Sequence, residues 1–152
     1  MIDRSILNTL QSDGFIFADF KGTSMNPLFV SGRDKVLIEK KTQSLKKGDV
    51  ALFVRNDGTH VLHRVYKVIN GVYVFWGDNH LFLEYGVGDN AVIGIAKGYY
   101  KGEKYIDFSK SKKYKFYKAF WCKSVALRRF FNFFRLLFNK INKVFKGKNK
   151  KK

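Results

Sequence analysis

Four side chains in this 152-residue chain have the types and order for nucleophilic chemistry: Ser24, His63, and the acids Asp78 and Glu84. A serine hydroxyl is a weak nucleophile near neutral pH and needs an adjacent base to take its proton. Histidine, with an unperturbed pKa of about 6.5, can do this without a large environmental shift. A carboxylate then fixes the imidazole tautomer and steadies its positive form. Each member also has a plainer reading. Serines in turns mostly bond their own backbone, and a histidine flanked by valines is often a satisfied core residue.

The elements that must position these groups are short. Ser24 lies in Lys21–Phe29, a turn bounded by Gly22, which tolerates unusual backbone angles, and Pro27, which fixes its own φ. Residues 3–12 read as a helix, with Ile6, Leu7 and Leu10 on one face and Gly14 at the stop. Strand character follows at Phe15–Phe20, Asp34–Glu39, Asp49–Arg55, Thr59–Ile69, Val72–Trp76, Ala91–Tyr100 and Tyr105–Phe108. Asn56-Asp57-Gly58 and Asn70-Gly71 are hairpin signals. Six or seven short strands with turns between them predict a mainly β, compact antiparallel β-domain. Alternation places His63 on one face with Val61 and Val65, and His60 on the other. That separation disfavours a metal site between the two histidines; neither metal nor cofactor is expected.

Charge divides the chain. Residues 1–107 carry 14 Lys+Arg and 12 Asp+Glu, whereas residues 108–152 carry 16 Lys+Arg and no acid. The expected organisation is a nearly neutral domain over 1–107 and a strongly basic tail over 108–152. The single cysteine, Cys122, permits no internal disulfide. The N-terminus lacks the apolar segment of a secretory signal, and no 18-residue stretch is free of charge.

Four segments together resemble type I signal peptidases and their repressor-cleavage relatives. Gly22-Thr23-Ser24-Met25-Asn26-Pro27-Leu28 is similar to the nucleophile box. Lys47-Gly48-Asp49-Val50-Ala51-Leu52-Phe53 is similar to the next strand, Val61-Leu62-His63-Arg64-Val65 to the strand of the general base, and Gly77-Asp78-Asn79 with Val92-Ile93-Gly94 to the final box. The resemblance spans residues 20–100. Histidine at the base position matches the endoplasmic-reticulum and archaeal type rather than the lysine of typical bacterial members. It implies a serine endopeptidase that cleaves after small residues in a leader or signal-like peptide, reading an extended strand in a shallow apolar groove. The implied catalytic residues are Ser24, His63 and an acid. Asp78 matches the first of the family's two aspartates and is preferred. Glu84, at the second, departs from the pattern and stands as the alternative. Thr23, Met25 and Pro27 are the implied oxyanion and substrate-binding neighbours. Gly22 replaces a serine that supplies an additional oxyanion donor in some relatives.

Classical members carry a spanning helix before the nucleophile box; only about twenty residues precede Ser24 here, and the tail is the expected substitute. On a helical wheel of about 100° per residue, Phe116, Phe120, Leu127, Phe130, Phe131, Phe134, Phe138, Ile141 and Phe145 share one arc. Arg128, Arg135, Lys143 and Lys146 lie opposite. This predicts an amphipathic helix in the membrane interface, with Phe120, Trp121, Leu127, Phe131, Phe134, Phe138, Ile141, Arg128 and Arg135 as contacts. Spanning would bury several cations at about 2.5–3.5 kcal/mol each. Anionic lipid is therefore the expected partner, with the protein peripheral on the cytoplasmic face, beside a peptide or protein substrate. Packing of the tail on the β-domain is the alternative. Nucleic acid is not expected, because the aromatics segregate from the basic residues. Two further functional readings use the same fold: a non-catalytic peptide-binding or membrane-tethering module, and a self-cleaving repressor-type peptidase. The chain has no Ala-Gly pair for the second.

Overall fold

The computed structural model describes residues 4–123 together with residues 130, 133 and 134. An amphipathic helix, α1 (Arg4–Ser12), leads into β1 (Phe15–Ala18). Then follow β2 (Asp34–Lys40), β3 (Val50–Val54), β4 (His60–Ile69), β5 (Val72–Trp76), β6 (Glu84–Val87), β7 (Val92–Lys101) and β8 (Lys104–Asp107). A second helix, α2 (Lys112–Lys123), closes the described chain. All eight strands pair antiparallel in one sheet, in the order β1-β2-β7-β3-β4-β5-β6, with β8 added to β7. The mainly β expectation is met. The sequence pattern missed β6, whose Glu-Tyr-Gly-Val carries neither strong alternation nor a turn signal.

Period-two alternation sorts the sheet into two cores. Val50 and Leu52 of β3, Leu62 of β4 and Ala96 of β7 join Leu10 of α1, Met25, Leu28 and Phe29 in one cluster. Ala51, Phe53, Val61, Val65 and Ile95, from the intervening positions, join Tyr73 and Phe75 in the other. Phe53 and Phe75 stack at 4.3 Å between centroids, which fixes β3 and β5 across β4. His63 belongs to this second face, at an edge-on 6.2 Å from the Phe53 ring.

The helix α2 begins where Ser111 Oγ accepts the Tyr114 N–H, an N-cap that satisfies one of the free donors of the first turn. Tyr114 is buried and stacks on Phe108 at 3.7 Å. Tyr117 and Trp121, three and seven residues on, occupy the same side of the helix and stack on each other. The first three turns of the basic segment, past the expected boundary at residue 107, dock on the sheet through Tyr114. Among the described residues, no helix is long and apolar enough to cross a membrane.

Candidate active site

The register of β4 and β5 creates the site. Arg64 pairs with Trp76, so His63 stands opposite the next residue, Gly77. Gly77 has no side chain, and the space that a Cβ would take is already used. An atom placed there would lie 2.9 Å from His63 Nε2, 2.9 Å from the Ser24 carbonyl oxygen and 3.1 Å from His80 Cγ. The imidazole and the Ser24 backbone therefore converge on one point from two sides. Ser24 and His63 also line one groove of about 420 Å3, floored by Met25, Val36, Ile38, Leu52 and Leu62. Ser24 is half-buried and His63 buried.

The Ser24 turn is tied to the loop after β5. The Asn79 backbone N–H donates to the Ser24 carbonyl at 2.7 Å, and its side-chain amide donates to the Thr23 carbonyl at the same distance. Asn26 N–H closes the turn onto Thr23 at 3.1 Å, and the Asn26–Pro27 peptide bond is cis. Of the predicted neighbours of Ser24, Met25 lines the groove. Thr23 and Pro27 are exposed at its flank, with Thr23 contributing its carbonyl to the turn.

The two acids have separate placements. Asp78, preferred on sequence as the partner of His63, is fully buried and forms a two-pronged ion pair with Arg64, at 2.9 and 2.7 Å. It also accepts the Tyr117 hydroxyl at 3.0 Å. Arg64 is buried as well. Burial would weaken its hold on its proton, but attraction to Asp78 outweighs that and keeps the guanidinium charged. Its third nitrogen donates to the Gly48 carbonyl, and the cation lies near the Tyr114 and Tyr117 rings.

Glu84 is the acid that meets the imidazole. Phe75 pairs with both Val65 and Glu84, which puts Glu84 on the His63 side of the sheet. His63 Nδ1 and Glu84 Oε1 are 2.6 Å apart. The oxygen sits off the ring N–H direction, so neither atom has a well-aligned hydrogen bond. The other Glu84 oxygen accepts from Arg55 Nε at 2.7 Å. Burial pushes the Glu84 carboxyl up, but His63 and Arg55 together outweigh it and hold the group at about 2.

Sequence reasoning missed Arg55, His80 and the two aromatic residues beneath Asp78. Arg55 follows a hairpin strand and reads as a solvated end. His80 lies 4.9 Å from His63 between ring centroids; burial, then the neighbouring His63, lowers its affinity for a proton. His63, His80 and Glu84 bring three possible ligand atoms within 4.8 Å of one another. This is a different trio from the His60–His63 pair considered on sequence. Arg55 and the direct His63–Glu84 contact already satisfy its charge.

The predicted membrane contacts divide. Trp121 belongs to the domain: its indole N–H donates to the Asp78 carbonyl at 3.1 Å. On the wheel centred on Phe116, Trp121 falls about 140° round, away from the outward phenylalanines with which it was grouped. Phe120 is half-buried, whereas Phe116, Phe130, Phe133 and Phe134 are exposed. Leu127, Arg128, Phe131, Arg135, Phe138 and Ile141 lie outside the described residues. Neither a protein-family model nor a curated protein matches the chain.

Proposed function

We propose that this protein is a serine endopeptidase with a Ser24–His63–Glu84 centre, acting on peptide bonds that follow small residues in a leader or signal-like segment. One observation carries the reading. The two nitrogens of His63 face opposite chemical partners, with Nε2 toward the Ser24 turn at Gly77 and Nδ1 against the Glu84 carboxylate. That is the division of labour a serine nucleophile requires of its base.

Ser24 Oγ attacks the substrate carbonyl while His63 Nε2 takes the hydroxyl proton. The imidazolium then gives that proton to the departing amine, and water releases the acyl group from Ser24 by the same base. Glu84 keeps its negative charge down to about pH 2, so it stabilises the imidazolium throughout the working range. Arg55 holds the second carboxylate oxygen and restricts rotation of the acid. The Ser24 backbone N–H is the oxyanion donor, an interaction that contributes roughly 10²- to 10³-fold in comparable sites.

The substrate class follows from the groove and from the resemblance to type I signal peptidases, to whose fold we assign the sheet. An extended peptide fits beside a floor of Met25, Leu52 and Leu62. Membrane association is part of the proposal, supported by exposed Phe116, Phe130, Phe133 and Phe134 within a segment carrying sixteen positive charges. The test is cleavage of a peptide library by the full chain and by Ser24→Ala and His63→Ala. Both variants should fold and lose turnover, and a chelator should leave the wild-type rate unchanged. Undiminished cleavage by either variant would end the assignment.

A further inference from the structure

We propose that Trp121 and Tyr117, on the helix that begins the basic tail, are positioning residues for the Ser24 turn. The proposal rests on Ser24 being the nucleophile.

The connection runs through one peptide group. The Asp78 carbonyl oxygen accepts the Trp121 indole N–H at 3.1 Å. The amide N–H of the same peptide unit, that of Asn79, donates to the Ser24 carbonyl at 2.7 Å. A peptide unit is planar and its C=O and N–H point in opposite directions. The plane is therefore held at both ends, by α2 on one side and by the nucleophile turn on the other. Turning the plane to follow one partner moves it away from the second. Hydrogen bonds in such a chain also polarise one another.

Tyr117 braces the same link. Its hydroxyl donates to Asp78 Oδ2 at 3.0 Å while its ring stacks on Trp121 at 5.2 Å. Arg64 holds both carboxylate oxygens as well. The Asn79 side-chain amide adds a second tie to the turn at Thr23. Both aromatic residues are half-buried against the sheet, and Ser111 and Tyr114 anchor the start of the helix that carries them. The first three turns of the basic segment thus pack behind the Ser24 turn and belong to the catalytic unit.

The experiment uses the full chain with Trp121→Phe and Tyr117→Phe, each of which keeps a ring and removes one donor. Amide hydrogen exchange reports on the link independently of activity, and steady-state kinetics report on its consequence. Exchange at the Asn79 amide should accelerate about five-fold in each variant, and kcat should fall by about as much, the weight of one hydrogen bond. KM should stay within about two-fold, because no substrate contact is removed. Ala119→Ser, at an exposed position of the same helix, should change none of these. Unaltered Asn79 exchange in both variants, or faster exchange with unaltered kcat, would overturn the proposal. Persistent cleavage by Ser24→Ala would instead refute the nucleophile assignment, and the exchange result would identify that failure as separate.

Discussion

Gly77→Ala is the sharpest perturbation of the proposed centre, because it adds one methyl group where the base and the nucleophile turn converge. The added Cβ would lie 2.9 Å from both His63 Nε2 and the Ser24 carbonyl, where ordinary contact begins at 3.4 Å. The shortfall is about half an ångström on each side. One neighbour is a backbone atom pinned by the Asn79 N–H, so it cannot swing clear as the end of a long side chain would. The strain must separate imidazole from turn. Misplacement by about 1 Å can cost on the order of 10²-fold in rate, so half that distance predicts a loss of roughly ten-fold or more in kcat. Stability should suffer less. Overpacking of this kind costs about 1–3 kcal/mol, which a domain of typical stability survives. The assay is kcat on a peptide with alanine before the scissile bond, beside a thermal melt. A folded Gly77→Ala protein with the wild-type rate would refute the convergence of Ser24 and His63 at this point.

The two acids should fail differently. Glu84→Gln should lower kcat on the order of 10³- to 10⁴-fold in a protein that still folds at neutral pH. Asp78→Asn leaves Arg64 buried without its counter-charge and should cost about 3–5 kcal/mol, lowering Tm by roughly 6–20 °C. Acid titration gives a further check. The Glu84 carboxyl is depressed on folding, so its stabilisation is complete above its ordinary value of 4.5 and is lost as pH falls toward about 2; Glu84→Gln should flatten the stability profile in that window. In the full chain, replacing Phe130, Phe133 and Phe134 with serine should reduce co-sedimentation with anionic vesicles several-fold while leaving cleavage of a soluble peptide unchanged; equal co-sedimentation would contradict the membrane assignment.

Much of the scaffold was legible because its signals are local. Asn56-Asp57-Gly58 and Asn70-Gly71 announce hairpins, and alternation through Val61, His63 and Val65 places the histidine on the Phe53 face. What was not legible depends on register between strands. Asp78 and Glu84 are six residues apart, and either suits the chemistry. The pairing of Arg64 with Trp76 sends Asp78 toward the arginine, while the pairing of Phe75 with Glu84 returns the second acid to the imidazole. Nothing in composition distinguishes these outcomes. Arg55 escaped notice for the same reason: its partner lies on the opposite edge of the β3–β6 surface, 29 positions along the chain. In the tail, one periodicity carried two aromatic sides. The outward phenylalanines obscured Tyr114, Tyr117 and Trp121, which face the domain.

The most direct test of the centre is covalent capture of its nucleophile. A fluorophosphonate probe reacts with a serine only where a neighbouring base activates the hydroxyl. Peptide mapping after labelling of the full chain should find the adduct on Ser24, with the label abolished by Ser24→Ala and reduced at least a hundred-fold by His63→Ala, in keeping with loss of a positioned general base. Absence of any adduct on Ser24, or labelling that survives His63→Ala at full rate, would contradict the account.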